Sequence, residues 1–171
     1  MKKIILPFFI LILVSLLSFI IFCHPQAVTF KTVAEGHFSI SLPSYLTKAD
    51  SLDPTALVQY KNEKDKLFVL VYQERDTSNV PIEMIFKKFS DDFILKIEHG
   101  NVVKYYLTKI GLQNAVVGNI RGSVNETAVY YRVAFIRSAS GYYKIIIGVE
   151  SDMESSYDED MDTMIRSFKS I

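Results

Sequence analysis

The segment KLFVLVYQER, Lys66 to Arg75, decides the fold. From Leu67 to Tyr72 every residue is apolar or aromatic, so a strand here carries apolar side chains on both of its faces. Such a strand belongs inside a sheet with material packed on either side. The preceding ALVQYKN (Ala56–Asn62) is read as its hairpin partner across the charged tip Glu63, Lys64 and Asp65.

Further toward the N-terminus, HFSISLP alternates. Phe38, Ile40 and Leu42 point one way, His37, Ser39 and Ser41 the other, and Pro43 ends the strand. VTFKTV (Val28–Val33), separated from it by Gly36, is read as its hairpin partner. Downstream the period becomes 3.6. Pro81 suits a first helical turn, and Ile82, Ile85, Phe86, Phe89 and Phe93 form an apolar stripe. Glu83, Lys87, Lys88, Asp91 and Asp92 make the opposite, solvated face, and the helix is expected to run from Pro81 to near Glu98, stopping by Gly100-Asn101. LQNAVVGNIRGSV, TAVYYRVAFIRS and YYKIIIGVE then read as three strands of an antiparallel meander. They turn at Asn125-Glu126 and at Ala139-Ser140-Gly141, while Gly118 and Gly122, on one face of their strand, leave room for a bulge or a close neighbour. A final helix carries Met153, Tyr157, Met161, Met164 and Phe168 on one stripe, with Ser156 and Glu159 at capping-box spacing. The fold class expected is α+β: an antiparallel sheet of roughly six or seven strands between helices, an α/β/α sandwich.

Ahead of this body stands IILPFFILILVSLLSFIIFC, the 20 uncharged residues Ile4 to Cys23. At about 1.5 Å per residue they reach about 30 Å, the thickness of a bilayer's hydrocarbon core. Lys2 and Lys3 should remain in the cytoplasm, which places the rest of the chain outside. Cys23 has three readings. A lipoprotein signal wants a small residue before the modified cysteine, and this chain has the bulky Phe22; a cleaved signal has only the poor site Pro25-Gln26-Ala27; an uncleaved helical anchor fits the length. The expected organisation is a signal or anchor over 1–24 and an α+β domain over 28–171, with the membrane as a partner through residues 4–23. Hydrophobic residues make up 49% and charged residues 22% of the chain, too apolar for disorder. Without Lys2 and Lys3 the balance is 17 basic against 19 acidic residues, which does not draw phosphate backbones and argues against a nucleic-acid partner. A lone cysteine excludes an intramolecular disulfide.

Six phrases carry a family resemblance: FSISLPSYL (Phe38–Leu46), ALVQYKNEKDKLFVLVYQE (Ala56–Glu74), IGLQNAVVGNIRG (Ile110–Gly122), YYRVAF (Tyr130–Phe135), GYYKI (Gly141–Ile145) and IRSFK (Ile165–Lys169). In that order, over roughly residues 30 to 171, the chain resembles bacterial PsbP/DcrB-like domains. The resemblance implies an antiparallel sheet between helices and a noncatalytic accessory or binding role. It carries over no photosystem-binding or Ran-binding residues.

Candidate chemistry is sparse. Asp158, Asp160 and Asp162 alternate like the start of a calcium loop, but Thr163 stands at the glycine position, followed by Met164, and Lys169 replaces the bidentate Glu. The cluster is read as the acidic start of a helix. His24, His37 and His99 share no ligand spacing; His37 is expected on a strand's polar face and His99 at a helix end. Asp91 and Asp92 diverge on a helix. No G-x-S-x-G elbow or Gly-rich phosphate loop occurs, and no catalytic residue, metal or cofactor is assigned. Asn125-Glu126-Thr127 matches a glycosylation sequon, which the bacterial resemblance leaves without use. Tyr105-Tyr106, Tyr130-Tyr131 and Tyr142-Tyr143 are the unusual feature: each pair should send one ring into the core and one toward a helix or water, or else form an aromatic platform for a peptide or glycan.

The function read from this is a noncatalytic, membrane-anchored extracytoplasmic protein that offers its sheet or loops to a protein partner. The alternatives are a small-ligand receptor and a hydrolase with convergent groups invisible in sequence. Deleting residues 1–23 should release a folded domain into the soluble fraction. Fractionation followed by thermal melting checks this, and an aggregate would show that the apolar run packs into the core.

Overall fold

The computed structural model describes residues 28–76 and 78–170. In chain order the elements are β1 (Phe30–Glu35), β2 (Phe38–Pro43), β3 (Thr47–Lys48), β4 (Val58–Asn62), β5 (Leu67–Arg75), α1 (Ile82–Ile94), β6 (Glu98–Ile110), β7 (Gln113–Val124), β8 (Thr127–Ser138) and β9 (Gly141–Glu150). A 3-10 turn (Ser151–Met153), α2 (Glu154–Arg166) and β10 (Lys169–Ser170) follow.

Seven strands form an antiparallel sheet in the order β3-β4-β5-β9-β8-β7-β6. β5, β9 and β8 lie inside it and are apolar on both faces, as the Leu67–Tyr72 run requires. Their odd-even alternation feeds two cores. On one face Val69, Val71, Tyr130, Ala134, Tyr143, Ile145 and Ile147 pack with β2 (Phe38, Ile40, Leu42) and α2 (Met161, Met164, Ile165). On the other, Leu70, Tyr72, Tyr131, Val133, Phe135 and Ile146 meet the α1 stripe of Ile82, Phe86, Phe89 and Phe93. Gly118 belongs to this second interface: a Cβ there would run into the Phe86 ring. At Gly122 a Cβ would come within 2.8 Å of Ile97, so both glycines serve close packing of α1 and its C-terminal extension on β7.

A second, three-stranded sheet, β1-β2-β10, lies beside α2 on the first face. The sequence reading did not separate it from the main sheet. Its third strand is only Lys169–Ser170, paired with Ser39 and Phe38, and Ser167 extends the contact by accepting the Ser41 N–H on its Oγ at 2.8 Å.

Several expectations need correction. α1 ends at Ile94 and the chain enters β6 at Glu98, where the helix was expected to persist. Ile94 and Ile97 do continue the apolar helical spacing, but ten bridges to β7 along VVKYYLTKI and its flanks outweigh that local preference. His99, with φ of +52°, sits within this bulged strand and not at a helix end, and His37 lies in the β1–β2 turn and not on a strand face. α2 begins at Glu154, so Ser156 lies inside the helix and makes no capping box. Asp158, Asp160 and Asp162 fall in the body of that helix and not in its first turn. The Asn125-Glu126 turn is as expected, both residues having positive φ, the geometry of a tight hairpin. Among the described residues no helix is long and apolar enough to cross a membrane; the run 4–23, Cys23 and His24 lie outside them.

Val69 is fully buried between β4 and β9. Val69→Asp places an uncompensated charge in the first core and should cost about 4 kcal/mol or more, abolishing cooperative folding. Normal solubility and an unchanged urea midpoint would contradict the position of β5.

Candidate functional site

Where charged groups converge, they are already used. Arg132 is the one Arg in the middle of an apolar strand, VYYRVAFI, and only 4% of it is exposed. Its Nε donates to Asn119 Oδ1 at 3.4 Å, Nη1 to the Asp158 carbonyl at 2.9 Å and to Asp162 Oδ1 at 2.7 Å, and Nη2 to Tyr130 at 2.9 Å and to the Asp158 carboxylate. A guanidinium has five N–H donors, and all five are occupied. This cluster therefore rivets β8 to α2 and has no hydrogen left for a ligand. It also explains Asp158 and Asp162: one turn apart on the helix, they point down onto the arginine. Asp160 instead accepts the Tyr45 hydroxyl at 2.5 Å. Tyr157 donates to Asp65 at 2.6 Å, and burial together with that carboxylate pushes its phenol up to about 12. Among the described residues no group of three or more His, Cys, Asp or Glu is placed to hold a metal ion.

A cleft of about 520 Å³ opens between the β5–α1 connection, α1 and Tyr142, lined by Arg75, Met84, Lys88, Phe89 and Asp92 among others. Its size suits a small ligand. Asp76 on its wall is committed, however. It takes hydrogen bonds from the Ser78 N–H at 2.9 Å and from the Ser78 hydroxyl, and it pairs with Arg137 at 2.9 Å; Ser78 and then Arg137 hold its carboxyl below the usual range. Among the described residues no histidine lines this cleft, and the one hydroxyl–carboxylate contact on its wall, Ser78 to Asp76, is tied up with Arg137. Of Asp91 and Asp92, only Asp92 reaches this cleft, while both border a shallow recess with Lys87 and Lys88 on α1.

The third place is the β6 edge of the seven-stranded sheet, unpaired among the described residues. β6 is a 13-residue outermost strand, whereas β3 at the opposite edge has two residues. Register with β7 is continuous from Lys104 to Ile110, after two irregularities in Glu98–Asn101 and Val102–Lys104. Ile110 and Gln113 face each other across the two residues Gly111-Leu112, and a pair closing so short a turn exchanges both of its hydrogen bonds. Counting back from it, Ile110, Thr108 and Tyr106 bond inward to β7. Tyr105, Leu107 and Lys109 consequently direct their N–H and C=O groups outward, away from the sheet.

This edge also carries apolar surface. Val103 is 46%, Tyr105 47%, Tyr106 44% and Leu107 60% exposed. Tyr105 leans on Phe86, with ring centroids 5.4 Å apart, and its hydroxyl donates to Glu83 at 3.2 Å. On the opposite face Tyr106 overlooks a small recess with Asp162, Ile165 and Arg166. The three tyrosine pairs thus divide. Tyr130 and Tyr131 are both buried, one in each core, Tyr143 is buried with Tyr142 partly so, and Tyr105-Tyr106 sends neither ring into a core. Sequence reasoning noted all three pairs as a candidate platform but missed the edge, because the segment after Gly100-Asn101 was assigned to no strand. The β-branched and aromatic run VVKYYLT was the available signal.

No family model matches the chain, and no curated protein matches it in sequence. Solved structures do match. Cyanobacterial PsbP (CyanoP) from Synechocystis sp. PCC 6803 superposes with a TM-score of 0.64 over 87% of this chain and 97% of that one, at 10% identity. The fold is PsbP-like. The same PsbP-like architecture appears in the Ran-binding protein Mog1p of Saccharomyces cerevisiae, with a TM-score of 0.61, 17% identity and coverage of 84% of this chain and 96% of that one. It appears again in LpqN, involved in cell envelope biogenesis of Mycobacterium tuberculosis, with a TM-score of 0.58, 8% identity and coverage of 84% and 91%. At such identities the similarity establishes architecture, in agreement with the family resemblance of the sequence.

The rivet reading of Arg132 is testable. Arg132→Met leaves Tyr130 and Asn119 without a donor, while Asp158 and Asp162, with side chains 58% and 38% exposed, can turn to water. The expected loss is about 1–3 kcal/mol in urea unfolding, with native circular dichroism retained. An unchanged midpoint would remove the cluster from the list of structural contacts.

Proposed function

We propose that this protein is a noncatalytic, extracytoplasmic accessory protein, tethered to the membrane through residues 4–23, that works by binding a protein partner. The observation that carries the reading is the β6 edge: outward backbone groups at Tyr105, Leu107 and Lys109, together with three large exposed side chains in a row. Native sheets commonly blunt a free edge with short strands, lysines, proline, bulges or covering segments. β6 has Lys104, Lys109 and two irregularities near its start, but between the lysines Tyr105, Tyr106 and Leu107 leave an apolar stretch that is a template for another chain. The PsbP-like neighbours support a binding role at the level of their descriptions, one binding Ran and one serving the cell envelope. The convergent polar cluster is saturated by internal bonds, which weighs against catalysis at that point. A second reading, a receptor for a small ligand, is favoured by the 520 Å³ cleft with Arg75 and Lys88 at its walls.

A photo-crosslinking residue placed at Leu107 of the full-length protein in its native membrane should yield a discrete adduct. The same residue at the exposed Glu126, on the β7–β8 turn, should not. Equal labelling from both positions, or none from either, would refute partner binding through this edge.

A further inference from the structure

We infer that the occupant of the β6 edge is a second copy of the same strand, paired antiparallel about Tyr106 so that two sheets become one. This rests on the edge-binding reading above and adds the identity of the partner.

The pattern of the strand is self-complementary in that register. A two-fold axis perpendicular to the sheet keeps like faces together, so residues opposite each other have positions summing to twice the central one. With Tyr106 at the centre, Tyr105 of one copy stands against Leu107 of the other, twice, on the α1 face. These are the residues whose backbone groups point outward, so each such pair can exchange two ladder hydrogen bonds. On the other face Tyr106 meets Tyr106. All three exposed side chains of the regular segment find an apolar partner, and aromatic–aliphatic and aromatic–aromatic cross-strand pairs are the favourable kind.

Charge agrees with the same register. Lys104 falls opposite Thr108, and Lys109 falls past the end of the other copy's regular stretch, beside its irregularity at Val102–Lys104, so no lysine faces a lysine. Centring the pair on Lys104 would oppose two ammonium groups directly. Centring it on Leu107 would set Lys109 against Tyr105 and Lys104 against the buried Ile110. The near balance of 17 basic and 19 acidic residues after Lys3 leaves little net repulsion between two copies. A seam of one strand is small by the standard of stable interfaces, so the pair should be concentration-dependent.

The test uses the full chain with Cys23→Ser in its native membrane. Tyr106→Cys is expected to form an intermolecular disulfide under mild oxidation, because a non-hydrogen-bonded antiparallel pair brings two Cα atoms to about 4.5 Å. Leu112→Cys, at a position 96% exposed on the adjoining turn, reports random collision and should give far less dimer. Leu107→Pro deletes an outward N–H without removing a bond to β7, so it should reduce the Tyr106→Cys dimer about tenfold while the melting temperature holds. Should the proline lower the melting temperature, Leu107→Asp tests the same contact through a side chain that is already exposed. Equal dimer at 106 and 112, no dimer at 106, or, with Cys23 restored, a disulfide from position 106 to Cys23 of the same chain in place of the dimer would each overturn the inference. A foreign protein captured from Leu107, with no dimer at 106, would overturn the second copy while sparing the edge-binding reading; absence of both would end both.

Discussion

Three adjacent strands, β5, β9 and β8, have no polar face, and the rest of the molecule follows from that constraint. A sheet whose middle is apolar above and below must be covered twice. α1 covers one side with a stripe of phenylalanines. The other side is shared between α2 and the small β1-β2-β10 sheet, where Phe38, Tyr143 and Phe168 form a three-ring cluster with centroid separations of 5.2, 5.5 and 4.9 Å. The second and the last described strands are thereby held together by residues far apart in the chain, β10 pairing directly with β2.

Apart from the Ser138 hydroxyl, which is buried without a partner, the buried polar side chains of the described residues find hydrogen bonds within the body. Gln59 accepts the N–H groups of Leu52 and Asp53 at 2.9 and 3.0 Å and donates to the Asp53 carbonyl at 2.7 Å, fixing the loop before β4. Asp53 in turn accepts from Thr55 and Tyr72, and the Thr55 hydrogen bonds hold its carboxyl below the ordinary range. Arg132 follows the same rule on a larger scale. A buried charge is tolerated because it is paired and every donor is met, and the condition that makes it tolerable also makes it unavailable to a substrate.

Elements set by local pattern were legible in the sequence. The alternation of Phe38, Ile40 and Leu42, the doubly apolar Leu67–Tyr72 and the Met161–Met164–Phe168 stripe each specify a period and a buried face without reference to anything distant. What escaped depends on long-range pairing. Ile94 and Ile97 keep helical spacing past the true end of α1, and only the ladder to β7 shows that the chain has become a strand. β10 is two residues long and exists because β2 is there to receive it. Asp158 and Asp162 look like helix-start acids until Arg132, 26 and 30 residues earlier, is seen beneath them. The candidate site was half visible: three tyrosine pairs stood out alike by composition, and that Tyr105-Tyr106 is the one at a rim is a property of strand order.

The two rims of the main sheet are grossly unequal, one being 13 residues long and the other two. This asymmetry bears on how far any growth of the sheet could go. A chain with two good rims can add neighbours without limit and becomes a fibre. In the proposed pair the long rim would be used at the first contact, leaving the main sheet only the two-residue β3 rim. Within the main sheet, growth by edge pairing would therefore stop at one lateral addition; among the described strands the other open rim longer than two residues is the six-residue β1 of the small sheet.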